Sequence, residues 1–243
     1  HWMQAELNLD DTIFEKVLDQ IKDWDENARI FLMILYAEYR IMKAQYSEAN
    51  AELEIVNGIK NHLFIGQFIE GRLYRTLGWA ALADKNYDKA KHDFEESIRL
   101  FQVIADDEQV AWSQAGLARA EIGLGNWEGA KMLLMEALWT SIEMRAFIPL
   151  IFTLPVTVLY LDSEDPIQAA SLYQQIQFAP LLVKSKFFSD IVGQYLPETV
   201  TNHSQDEVAA NTDPKTALWT AASSILSNWM QIWIEEPEPA KKD

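Results

Sequence analysis

The sequence has no cysteine, which excludes disulfides and thiolate metal sites and suits an intracellular protein. Glycine and proline are scarce, 9 and 8 among 243 residues, too few for the many turns of an all-β fold. Positive charge is short as well: 20 Lys and Arg stand against 37 Asp and Glu, a formal net charge of -17. Such a field repels phosphate backbones and anionic headgroups, so nucleic acid and membrane surfaces are not expected as partners. The stretch Ile30 to Ala37, taken as the most apolar, stops at Glu38 and Arg40, short of the roughly 18 residues a membrane span requires. No basic region followed by an apolar one opens the chain at His1-Trp2-Met3. A soluble, cytoplasmic protein is expected.

Catalytic signatures are missing too. There is no Gly-x-Ser-x-Gly elbow, no Gly-Lys-Ser/Thr phosphate loop and no Asp-x-Asp-x-Asp-Gly calcium loop. The four histidines, His1, His62, His92 and His203, are scattered without ligand-spaced neighbours; His92, between Lys91 and Asp93, belongs on a solvated helix face. Gly123-Leu124-Gly125 has Glu128 at the third glycine place of a dinucleotide loop, and the residues before it have helical, not strand, character. Adjacent carboxylates such as Glu95-Glu96 and Asp106-Asp107 point about 100° apart on a helix and read as surface charge. No enzyme activity, metal or cofactor is expected.

What is present is a repeat. Ala49, Ala90, Ala130 and Ala169 each follow a short polar turn, as in Lys85-Asn86-Tyr87-Asp88-Lys89-Ala90 and Gly125-Asn126-Trp127-Glu128-Gly129-Ala130, and they recur 41, 40 and 39 residues apart. Apolar residues at three- and four-residue spacing flank each turn, so each unit is a helix, a turn and a second helix. The second unit carries Leu77-Gly78, Tyr87, Ala90, Phe94 and Ile98; the third has Leu117-Ala118, Trp127, Ala130, Leu134 and Leu138 at the same places. Small residues at Gly78 and Ala118 let the first helix approach the second where Ala90 and Ala130 face it, while Tyr87 and Trp127 plug the turns. Bulkier side chains there would overpack.

Leu77, Gly78, Tyr87, Ala90 and Phe94 make the chain resemble a tetratricopeptide-repeat array, though its period of about 40 residues exceeds the usual 34 or so. With that longer period it is similar to the C-terminal repeats of bacterial signal-transduction ATPases, including LuxR-type regulators. The expected fold is all-α: a right-handed α-solenoid of antiparallel helix pairs. The expected layout is a truncated repeat helix over 1–26, entered through the capping box Thr12-Ile13-Phe14-Glu15, and four helix pairs over 27–180. Residues 181–243 then supply a further helix from Leu181 to Tyr195, a mobile polar loop from Pro197 to Asp213, a capping helix and a disordered tail. Asp213-Pro214 opens the capping helix, whose apolar stripe is Leu218, Ala222, Ile225, Trp229 and Ile232.

In arrays of this type the first helices of successive pairs line a concave groove. Counting from the anchors places Glu38, Arg72, Arg75, Trp79, Trp112 and Arg119 in it. Trp24, Trp127 and Trp229 fall at core positions instead. An Arg- and Trp-lined groove in an acidic protein suits an acidic or carboxylate-ended peptide; pairing of Arg72 and Arg75 with Glu70 or with a carboxylate of the neighbouring unit is the alternative. The expected function is a non-enzymatic scaffold for a protein, an acidic peptide or a small-molecule effector, serving as the sensor part of a signalling protein. The competing reading is a structural or oligomerisation module that uses convex faces, ends or the last helix; oligomeric state is not fixed by the sequence.

Overall fold

The computed structural model describes residues 16, 17, 19–21, 25–60, 65–176, 185–201 and 214–235. Among these residues the secondary structure is helical throughout, without a strand. Four antiparallel pairs follow one another: α1 (Glu26–Met42) with α2 (Tyr46–Lys60), α3 (Gln67–Ala83) with α4 (Tyr87–Val103), α5 (Asp107–Gly123) with α6 (Trp127–Glu143), and α7 (Phe147–Glu164) with α8 (Pro166–Ile176). A short helix α9 (Lys186–Ile191), a 3-10 turn (Gly193–Tyr195), α10 (Glu198–Thr201) and the long α11 (Pro214–Glu235) complete the described chain.

The repeat is more regular than its anchors suggest. Helices α3 to α6 are each 17 residues long, and a three-residue turn follows each, so every helix begins 20 residues after the last. Asn86, Asp106 and Asn126 stand immediately before α4, α5 and α6 and accept hydrogen bonds from the N–H groups of Lys89, Gln109 and Gly129 at 3.2, 3.3 and 3.1 Å. These caps satisfy donors that the first turn would otherwise leave unpaired. Asp106 is thus a helix cap and not surface charge alone.

The preceding helix ends in the same way each time. Lys85, Ala105, Gly125 and Arg145 adopt left-handed backbone (φ 58°, 54°, 82° and 54°). The next residue then returns its N–H to the carbonyl five positions back: Asn86 to Ala81, Asp106 to Phe101, Asn126 to Glu121 and Ala146 to Ser141.

Helices α3 and α4, α5 and α6, and α7 and α8 pack intimately, while the odd-numbered helices also touch one another in succession. The even-numbered ones do not pack on one another to that extent, so the odd helices form an inner layer. In arrays of this repeat type the inner layer is the concave face. All four anchor alanines are fully buried.

Gly78 does more than face an alanine. A Cβ at Gly78 would lie 2.9 Å from the Phe94 ring, and one at Gly116 on the next inner helix only 2.2 Å from it. The ring of Phe94, on α4, is therefore slotted between glycines of α3 and α5. Two further slots repeat the device: Phe101 lies over Gly71 and Tyr87 over Gly123, where added Cβ atoms would come within 2.9 and 2.5 Å.

Several sequence expectations need correction. Trp127, placed in the core, is 39% exposed and only tilts against Tyr160 at 6.2 Å. Trp79, placed outside the core, is buried within it; Trp229 is buried edge-on to Tyr160 as expected from its stripe, and Trp24 lies outside the described residues. The most apolar segment is not Ile30 to Ala37 but α7, which by length and composition alone could cross a membrane; most of it is buried, packed against α5, α6, α8 and α11.

Helix α11 turns Leu218, Ala222, Ile225 and Trp229 inward onto α6, α7 and α8. Where Leu181 to Tyr195 was expected as one helix, the described part, from residue 185 onward, divides at Val192 into α9 and the 3-10 turn. The capping box at Thr12–Glu15, residues 202–213 of the polar stretch and the tail from residue 236 lie outside the description, as does the side chain of Ile232.

Gly116→Ala should lower the free energy of unfolding by about 1 to 3 kcal/mol through overpacking against Phe94, read from urea denaturation. Adding Phe94→Leu should recover part of that loss; an unchanged midpoint in Gly116→Ala would refute the slot.

Candidate functional site

The six groove residues come from three inner helices: Glu38 from α1; Arg72, Arg75 and Trp79 from α3; Trp112 and Arg119 from α5. Spacings of three, four and seven put each set on one helix face. The structure gathers them into two clusters joined through Phe152, whose ring lies 4.9 Å from Trp112 and 5.4 Å from Trp79.

In the first cluster the Glu38 carboxylate accepts hydrogen bonds from Arg72 Nη2, from Arg75 Nη2 at 3.2 Å and from Thr76 Oγ1 at 3.2 Å. Arg75 also donates through Nη1 to Gln109 Oε1, and its guanidinium lies 3.6 Å from the centre of the Trp112 ring. Arg72 lies 5.3 Å from the Phe31 ring. Both arginines thus share a carboxylate of the neighbouring unit, which is Glu38 and not Glu70.

Arg75 is completely buried (0% exposed), and the electrostatics follow from that. Burial is the main influence on its guanidinium and pulls it down to about 10 against the opposing pull of Glu38. For Glu38, burial alone pushes the carboxyl up, but the charges and hydrogen bonds of Arg72 and Arg75 prevail and hold it below the ordinary 4.5. Two cations thus surround the Glu38 anion, and the Asp106 carboxylate adds its field at Arg75.

The second cluster contains Trp79 and Arg119, and the chain itself covers it. Phe187, from α9, meets the Trp79 ring edge-on at 5.6 Å, and Phe152 of α7 lies 5.4 Å away. Arg119 Nε donates to the Ile191 carbonyl at 2.6 Å, with its guanidinium 4.6 Å from the Tyr195 ring. Tyr46 Oη donates to Asp190 at 2.9 Å, and the Tyr87 and Tyr195 hydroxyls are 3.2 Å apart. Residues 186–195 therefore form a strap across the inner layer. Sequence reasoning missed Gln109, Thr76 and the strap; the Phe187-Phe188 and Ile191-Val192 doublets signalled burial there, but not against which helices.

No group of three metal-competent side chains is found among the described residues.

The tetratricopeptide-repeat family model matches residues 70–138, which is most of the two middle helix pairs and includes the Phe94 slot. Among solved structures, BtubC (BKLC) from P. vanneervenii is similar with a TM-score of 0.54 and 11% identity, over 99% of this chain and 96% of that one. At that identity the likeness is one of fold. No curated protein matches significantly. The chain is an all-α solenoid with tetratricopeptide-type repeats, and repeats of this type generally mediate protein–protein interaction.

Glu38→Gln should cost about 3 kcal/mol by leaving the buried arginines without their shared anion. Because the folded Glu38 titrates below its unfolded value, its contribution is complete above the unfolded value and is lost as pH falls through the folded one. The difference in unfolding free energy between wild type and Glu38→Gln should accordingly be constant from about pH 6 to 8 and shrink below about pH 4. Equal stability of the two proteins at neutral pH would contradict the pairing.

Proposed function

We propose that this chain is a non-enzymatic protein-interaction scaffold whose concave face, at the Glu38, Arg72, Arg75 and Trp112 end, takes an acidic segment of a partner. The observation that carries the reading is the shared carboxylate: Arg72 and Arg75 converge on Glu38 alone, beside the face of Trp112. An incoming carboxylate would meet the Arg72 guanidinium, which keeps some exposure and is already oriented by Glu38, with the buried Arg75 behind it. It would compete with Glu38 for them, and its own affinity would be the difference. Trp79 and Arg119 extend this surface beneath the strap, so a longer ligand would have to displace residues 186–195. The same face would serve a regulatory or sensing role within a signalling protein, with a small-molecule effector as the other ligand class.

The test is a titration with a short polyglutamate peptide bearing a free C-terminal carboxylate, followed by tryptophan fluorescence. Wild type should bind, more weakly as salt rises. Arg72→Gln should lose about tenfold in affinity, about 1.4 kcal/mol, with its helical circular dichroism unchanged. Absence of binding to wild type, or undiminished binding to Arg72→Gln, would overturn the assignment.

A further inference from the structure

Helices α5, α6 and α11 line an open cavity of about 500 Å³ that shares no residue with the concave clusters. Met132, Met135, Trp139, Leu226 and Met230 form its apolar lining. Trp139 is 47% exposed, and Met132 and Met230 are exposed as well. Large apolar side chains left in water around one concavity mark an interaction surface when they are contiguous. Three of the chain's seven methionines contribute here, and unbranched thioethers adapt to the shape of whatever enters.

The polar groups of the cavity specify the occupant further. Gln114 is only 8% exposed, and its Nε2 donates to Glu136 Oε2 at 2.7 Å. That bond fixes the amide orientation, since a carboxylate needs a donor. The Oε1 of the same amide is buried without a hydrogen-bond partner, a costly state that an incoming N–H would relieve. The carboxylates of Glu136 and Asp107 also line the cavity, and the whole chain carries -17. The site thus combines an apolar wall, an unfilled acceptor and negative charge.

We propose that this cavity receives a basic amphipathic helix of a partner protein. Its apolar side chains would pack on Met132, Trp139 and Met230, and a lysine or arginine would donate to Gln114 Oε1 between Asp107 and Glu136. The assignment is independent of the concave-face reading, because the two surfaces have no residue in common and favour ligands of opposite charge.

Calorimetric titration of the full chain tests it with a leucine/lysine amphipathic peptide of about 18 residues, roughly five helical turns, and with its leucine/glutamate counterpart, at about 150 mM salt. The lysine peptide should bind here; any binding of the glutamate peptide belongs to the concave face, so it should fall in Arg72→Gln while the lysine peptide is unaffected by that change. Met132→Ala/Trp139→Ala keeps the net charge and alters exposed side chains, so it should remain folded by circular dichroism yet bind at least tenfold more weakly. Asp107→Asn should weaken binding in the same direction. Equal affinity of the lysine peptide for the wild type and the double variant would show attraction to the acidic surface alone and overturn the proposal, as would no binding of the lysine peptide or a loss of it in Arg72→Gln.

Discussion

The stacking of this rod depends on one steric fit, the ring of Phe94 held between Gly78 and Gly116. Both glycines lack the single atom that would collide with it, and the ring is wholly buried. Through that ring one outer helix is registered against two inner helices at once, so the step from pair to pair is set by contact and not by the turns alone. The turns agree with it. Their identical left-handed ends and polar caps fix a 20-residue stride, and local and tertiary preferences then point to the same geometry, as a well-determined fold requires.

That geometry explains why the inner layer can hold charge. Adjacent inner helices approach closely enough for Glu38 of one to reach Arg72 and Arg75 of the next, and for Trp112 of a third to cover Arg75. A buried arginine is tolerable only with its hydrogen bonds filled, and Glu38 and Gln109 fill them from either side. The same inner layer, further along, is occupied by residues 186–195, which pack Phe187 on the Trp79 ring and offer the Ile191 carbonyl to Arg119. One surface therefore shows two regimes: an ionic end assembled from the repeats, and an aromatic end closed by the chain's own return.

The repeat was legible because its cause is local. Polar caps at Asn86 and Asn126, small residues at Ala90 and Ala130, and apolar spacing about them all lie within a few residues of one another. The six candidate residues were also placed on the correct helices by counting from those anchors. Their partners were harder to see, since Glu38 and Arg75 are 37 positions apart and their meeting depends on how inner helices stack. The route of the chain after α8 was not readable at all: Phe187 and Ile191 declare that they will be buried, but the choice of Trp79 and Arg119 as their cover is made by the fold. The misplacement of Trp127 has a similar origin, for the turn position that Tyr87 fills over Gly123 has no such neighbouring slot at Trp127, which stays half in water.

The most direct measurement is a nuclear Overhauser spectrum of the folded chain with Phe94 specifically labelled. The ring protons should show strong cross-peaks to the α-protons of both Gly78 and Gly116, because the ring lies against each. Cross-peaks to only one glycine, or to neither, would contradict a rod whose register is set by that ring.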